Sequence, residues 1–350
     1  MATQLVRPVL EGLHQTLRAK AEGYEDKIVN PAKVIGWDKN YSYRNEKEGS
    51  HEVHFSHSAL SQMLNRLRIP VTFYRRNPYE IQNTLFNHWR NFHKTAGGNK
   101  KNVMFRFNHA VEPNHVRAVL SDVYGKMDDL DLFKVLLEVM DERQDISYRL
   151  LEYDAHITQL FIDFNDCQGV HNGTTYTAGL CVTNSETGHS AVWIEPVVHA
   201  LHCSYFNRRT LRQQGVDCRI VHRGKLAQKR VQPMVEKAKE IAQVGITQLA
   251  ESFQSRFSRD AAIRMAQNME ALPSRFVQLL EEEWSQEEDL IRAEAARRIL
   301  LLAQELPLFQ RIQIQQDTGK MLGLFTNYKD RFSDLASEIN DESDRARDAS

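Results

Sequence analysis

The rhythm of apolar residues changes twice along this 350-residue chain, and that change limits its fold more than any single motif does. Leu60, Met63, Leu64 and Leu67, then Ile81, Leu85, Phe86 and Trp89, recur three to four residues apart, the spacing of one helix face. Past Gly97-Gly98 the pattern alternates, as strands do. Segments 103–107 and 116–120, joined by the turn Glu112-Pro113-Asn114, read as a hairpin, and a short helix is expected over 130–140. Further strands are expected at 146–151, 157–164, 174–183 and 190–198. From Leu226 the pattern is helical again, over 226–254, 258–270, 274–304 and 318–340, punctuated by Pro273 and Pro307. The fold class these rhythms define is α+β, with an antiparallel, β-rich central domain flanked by helices and a helical C-terminal region. The expected organisation is a basic α+β domain over 1–225 and a helical region with an acidic tail over 226–350.

A hydrophobic fraction of 41% is enough for a core. The four cysteines, Cys167, Cys181, Cys203 and Cys218, show no Cys-x-x-Cys spacing, so reduced thiols and a cytoplasmic setting are expected. Leu5, Val9, Leu13 and Leu17 recur as on an amphipathic helix rather than in a signal peptide. No apolar run reaches the roughly 18 residues needed to span a bilayer, so no membrane partner is expected.

Charge is segregated although the net value is −1. Arg66, Arg68, Arg75, Arg76, Arg90, Lys94, Lys100, Lys101 and Arg106 face only Glu80 within their stretch. Arg208, Arg209, Arg212, Arg219, Arg223, Lys225, Lys229 and Arg230 face only Asp217. Such segments suit a phosphate backbone, because each Lys or Arg that neutralises a phosphate releases a condensed counterion. Aromatic residues interleave with them, Phe105 and Tyr205 among others, and aromatic faces stack on unpaired bases, which points to single-stranded DNA. The residues from Leu60 to Arg76 also admit a helix-turn-helix reading, weakened by Asn77-Pro78, which would cut the second helix short.

The run Arg117-Ala118-Val119-Leu120-Ser121-Asp122-Val123-Tyr124-Gly125-Lys126-Met127-Asp128-Asp129 resembles a phage- and plasmid-like family known as domain of unknown function 932. Gly179-Leu180-Cys181-Val182-Thr183-Asn184-Ser185-Glu186-Thr187-Gly188, then Ala191-Val192-Trp193-Ile194-Glu195-Pro196 and Cys203, is similar to that family's strand, turn and strand. With Leu67-Arg68-Ile69-Pro70 through Leu85-Phe86-Asn87-His88-Trp89, the resemblance spans roughly 55–225. It departs at Ser204-Tyr205, where the family often has Asn-Gly. The resemblance implies mobile-element biology and an α+β fold, and carries no activity onto named residues.

Two further constellations carry chemistry. Asp122, Asp163 and Glu186 lie at expected strand ends, where with Asp166 they could gather Mg²⁺ or Mn²⁺ for a nuclease. His199-x-x-x-Cys203 and Cys218-x-x-x-His222 form a mirrored set of soft ligands suited to zinc if the segments meet. Phosphate-loop, dinucleotide-turn, H-E-x-x-H and G-x-S-x-G motifs are absent from the sequence. The sequence therefore points to a mobile-element protein that binds or anneals single-stranded DNA in recombination or replication, needs no cofactor and self-associates through its C-terminal helices. A metal-dependent nuclease and a non-enzymatic assembly factor are the alternatives.

Overall fold

The computed structural model describes residues 12, 14–37, 40–45, 49–95, 102–140, 143–171, 174–200, 203–213, 215–222 and 228–325. The fold is α+β. Its first half runs β1 (Tyr24–Val29), a 3₁₀ turn (Pro31–Lys33), β2 (Val34–Trp37), β3 (Asn40–Asn45) and β4 (Gly49–Phe55). It continues through α1 (His57–Arg66), α2 (Val71–Arg76), α3 (Tyr79–Thr95), β5 (Val103–Asn108) and β6 (His115–Ser121). These strands make one sheet in the order β1-β5-β6-β4-β3-β2, antiparallel except where β4 runs parallel to β6.

Local chemistry sets the helix ends. Ser56 Oγ accepts the backbone N–H of Ala59 at 3.1 Å and so caps α1. The helix ends as Arg68 enters the left-handed region (φ 59°) just before Ile69-Pro70. Ala59, Met63 and Leu64 form its buried face. Beneath lie Tyr41, Tyr43, Phe86, Phe105 and Phe107, and the Tyr41 and Tyr74 hydroxyls meet at 2.6 Å. α2 has only six residues and stops before Pro78, too short to serve as a groove-reading helix, so the helix-turn-helix reading is set aside.

The second half runs α4 (Asp129–Met140), β7 (Ile146–Tyr153), β8 (Thr158–His171), β9 (Thr174–Asn184), β10 (Val192–Ala200), β11 (Cys203–Tyr205), α5 (Arg208–Gln213) and β12 (Arg219–Ile220). It ends with α6 (Gln228–Ser252), β13 (Arg256–Ser258), α7 (Arg259–Gln267), α8 (Ser274–Glu283), β14 (Asp289–Ile291), α9 (Arg292–Ala303) and α10 (Leu308–Met321). Strands β11-β10-β9-β8-β7 form an antiparallel sheet, with β12 also paired to β10. All of β10 is buried, because α4 and α6 pack a core of Leu160, Ile162, Leu180 and Ile194 on one side. The C-terminal helices pack Phe161, Cys181 and Val197 on the other. A strand covered on both faces reads as a largely apolar run rather than an alternating one, as Val192–Ala200 does apart from Glu195 and His199.

Two expectations need correction. The division at 225/226 does not follow the packing, because α6 shares its core with β8, β9 and β10. The packing instead separates the first sheet, ending at Ser121, from the unit that begins with α4. The helix expected over 274–304 is interrupted where β14 pairs with β13, Asp289 opposite Ser258 and Ile291 opposite Arg256. All four cysteines are buried and unbridged. Among the described residues no helix is long and apolar enough to cross a membrane.

Candidate functional site

Several basic and aromatic residues expected at a nucleic-acid surface lie inside the protein. Phe105 is fully buried between Tyr43, Phe55 and Phe107. Arg106, on the next position of β5, is 1% exposed; it donates to Asp26 at 2.9 Å, Asp128 at 2.6 Å and the Glu186 carbonyl at 2.8 Å. Tyr205 is buried, and that burial pushes its phenol well above the ordinary range. Arg208 donates through Nε to Glu195 at 2.7 Å and lies 4.1 Å over the Trp193 ring. Phe105, Arg106 and Tyr205 belong to the core, and Arg208 is half-buried against it. A local charge count misses this because Arg106 and Asp26 are 80 residues apart in sequence.

The other expected residues divide differently. Arg75 is exposed but tied to the His57 carbonyl and Ser61 Oγ. Arg76 and Arg212 are exposed, and Arg90 is half-buried. Lys100, Lys101, Arg223 and Lys225 lie outside the described residues, as do the side chains of Lys94, Arg209, Lys229 and Arg230. Asp122 lies close enough to Arg66 to act on it electrostatically, and the neighbouring Gly125 N–H donates to the His222 carbonyl at 2.9 Å.

A more concentrated cationic site lies where sequence reasoning did not look. Lys27 on β1, Lys33 in the 3₁₀ turn and Arg44 on β3 line a cleft of about 520 Å³, with Asn30, Tyr43 and Asn102 completing its polar wall. In the sheet, β1 and β3 are separated by β5, β6 and β4. Four strand spacings of about 4.8 Å would put them roughly 19 Å apart on a flat sheet, so the sheet must curl for both to line one cleft. Asn30 Oδ1 accepts the Ala32 N–H at 2.9 Å, and Pro31 fixes the first residue of the turn that carries Lys33. Lys27 reaches Glu25 at 3.4 Å and lies over the Phe107 ring at 5.7 Å, while no carboxylate is among the described residues that line the cleft. Glu25 and Asp26 beside Lys27 cancel its charge in any local count, which is why the sequence conceals this site.

Below the curled sheet, a buried polar network joins the two halves. Glu186 accepts Arg117 Nη1 at 2.7 Å and the Asp129 backbone N–H at 2.9 Å. Asn184 Nδ2 donates to Asp129 Oδ1 at 2.7 Å and to the Met127 carbonyl at 3.0 Å. Asp129 Oδ2 accepts Thr158 Oγ1 at 2.6 Å and Lys20 Nζ at 2.7 Å. Burial would lower the Lys20 pKa, but Asp129 and Glu186 hold it above the ordinary lysine value. Asp26 resists burial likewise: hydrogen bonds from Arg106 and Lys126 keep it below the usual carboxylate value. Gly188 closes the Asn-Ser-Glu-Thr-Gly turn with φ 78°, and a Cβ there would lie 2.5 Å from Leu120 Cδ2. Runs 117–129 and 179–188 thus meet in space.

The metal constellations do not assemble. Glu186 is paired with Arg117 and Asp163 with Arg149, whereas Asp122 faces Arg66. His199 bonds Ser204, His222 bonds Tyr124, and Cys203 and Cys218 are buried. Among the described residues no three His, Cys, Asp or Glu side chains could jointly hold a metal ion.

The Tyr124–His222 contact carries a pH signature. Both hydrogen bonds of Tyr124 are satisfied when His222 Nδ1–H donates to the phenol oxygen and the hydroxyl donates to the Ser185 carbonyl. Burial, with Arg106 nearby, pushes His222 from 6.5 down to about 4. The unfolded chain therefore binds its proton first on acidification. The contribution of neutral His222 is complete above about pH 6.5 and is lost as pH falls to about 4, by at most about 3 kcal/mol. Urea midpoints measured at successive pH values are expected to fall across that window and to fall less steeply in His222→Gln.

No family model, curated protein or solved structure matches the chain.

Proposed function

We propose that this chain binds single-stranded nucleic acid by its phosphate backbone, with the cleft of Lys27, Lys33 and Arg44 as the seat of binding. The observation that carries this reading is a concave site whose described lining holds three cations, two side-chain amides and a tyrosine, and among those described residues no carboxylate. Lys and Arg groups donate charge-assisted hydrogen bonds to phosphate oxygens, and a concave wall of one sign concentrates polyanions.

A route for the strand follows from β2. This edge strand begins beside Lys33 and ends at Trp37, whose side chain is 49% exposed. Four residues at about 3.3 Å each span roughly 13 Å. That places an exposed indole within about two nucleotides of the cleft, where it can stack an unpaired base while the cleft holds phosphates. Trp37 thereby takes the role expected of Phe105 and Tyr205.

The test is fluorescence anisotropy with a labelled 20-nucleotide strand and the matching duplex. Trp37→Ala is expected to weaken single-strand binding about tenfold, consistent with roughly 1–3 kcal/mol for a stacked base, and to leave duplex affinity nearly unchanged. Equal loss for both substrates would remove the stacking role. Binding that Lys33→Glu/Arg44→Glu leaves intact would remove the cleft.

A further inference from the structure

A polar row crosses the second sheet from one strand to the next. On β7, Arg149 Nε donates to Asp163 on β8 at 2.9 Å and 3.0 Å. Asp163 Oδ1 lies 3.4 Å from Nε2 of His199 on β10, and His199 Nδ1 meets Ser204 Oγ on β11 at 2.8 Å. β9 lies between Asp163 and His199, and the position it contributes there, directly opposite Asp163, is Gly179. A Cβ on Gly179 would lie 3.0 Å from His199 Nε2 and 2.3 Å from the Ile162 carbonyl, so only glycine leaves room for the imidazole to reach over β9. His199 and Ser204 are register partners and project from the same face.

We propose that Ser204, His199 and Asp163 form a nucleophile, base and orienting carboxylate that hydrolyse an ester bearing negative charge, bound in the cavity onto which Ser204 opens. That cavity, of about 450 Å³, lies between the sheet and helices α9 and α10, and its lining includes Arg149, Glu152, Phe161, Leu300, Gln304 and Arg311. Arg311 is paired with Glu152 at 3.0 Å and keeps a buried Nε without a partner, and Gln315 on the same helix keeps a buried unpartnered Oε1. The guanidinium groups and amides define a pocket for an anionic substrate with a polarised carbonyl.

The roles follow from the atoms. His199 Nε2 has no hydrogen-bond partner apart from this approach to Asp163. With its ring proton directed there, the Nδ1 lone pair accepts the Ser204 hydroxyl. Burial, and secondarily Arg149, hold His199 well below its ordinary pKa, so the ring is neutral near pH 7 and its lone pair is available. Burial pushes Asp163 upward, opposed by Arg149. In the reaction, Ser204 Oγ bonds to the ester carbonyl carbon as its proton passes to His199 Nδ1. The carbon–alkoxide bond then breaks, and the departing alcohol takes that proton. Water next attacks the acyl-serine with the same imidazole as base, releasing the acid and restoring the Ser204 hydroxyl.

The experiment is labelling with a fluorophosphonate probe, followed by intact mass and peptide mapping. One adduct on Ser204 is expected, absent in Ser204→Ala and formed at least about 100-fold more slowly in His199→Gln. Lys33→Glu/Arg44→Glu is expected to label at the wild-type rate, which separates this site from the nucleic-acid cleft. No adduct on Ser204 in the wild type, or an unchanged rate in a folded His199→Gln, overturns the proposal. If His199→Gln fails to fold by circular dichroism, Asp163→Asn replaces it, with at least about tenfold slower labelling supporting the array and an unchanged rate overturning it.

Discussion

Replacing Glu186 with alanine is expected to cost about 3–5 kcal/mol of folding stability, the range for removing one partner of a buried ion pair. Arg117 is 7% exposed and already has two nitrogens, Nε and Nη2, without hydrogen-bond partners; its Nη1 depends on Glu186. Truncation leaves that guanidinium charged and dry, and the Asp129 N–H loses its acceptor. Against a typical domain stability of about 5–15 kcal/mol, the loss is a large fraction of the whole. Urea denaturation measures it directly. Removing the charge on both sides, as Arg117→Met with Glu186→Leu, is expected to recover part of the loss, because no uncompensated ion is then buried. A Glu186→Ala variant within about 0.5 kcal/mol of wild type would mean that the network does not hold the two halves together.

The second large effect concerns binding. Lys33→Glu with Arg44→Glu is expected to weaken single-strand affinity about 100-fold, roughly 1.4 kcal/mol for each lost phosphate contact. Both side chains sit on the rim of the curled sheet, outside the buried network, so stability should change little. Arg75→Glu with Arg76→Glu serves as the comparison. Those residues stand in a basic stretch of the sequence, yet Arg75 is committed to the His57 carbonyl and Ser61, and both are exposed on α2. A smaller effect there than at Lys33 and Arg44 would place the site by concavity rather than by charge count.

Much of the fold is legible in the sequence because it depends on local periodicity. The hairpin of β5 and β6, helix α4 and strands β7, β9 and β10 lie within a few residues of where the rhythm of apolar side chains puts them, whereas β8 runs on to His171, well past the expected 157–164. The break between α8 and α9 is not legible, because the segment around Leu290 is compatible with a helix until β13 pairs with it. The sites are less legible than the elements. Arg106 reads as a free cation until Asp26, Asp128 and the Glu186 carbonyl close around it. Lys27, Lys33 and Arg44 read as scattered charges until curling brings two distant strands to one cleft. Gly179 looks like an ordinary strand glycine, and only the transverse register of four strands gives it the task of passing the His199 ring. In each case the missing information is long-range pairing, which composition and spacing do not encode.

The most direct measurement is the salt dependence of single-strand binding, compared between wild type and Lys33→Glu/Arg44→Glu by anisotropy from about 50 to 200 mM salt. Three phosphate contacts correspond to a slope of log K against log salt of about −2, a loss of roughly ten- to twentyfold across that range, and the variant should bind weakly with a slope near −0.7. Wild-type binding with no salt slope, or a variant that keeps both the affinity and the slope of wild type, would contradict a phosphate-binding cleft at Lys27, Lys33 and Arg44.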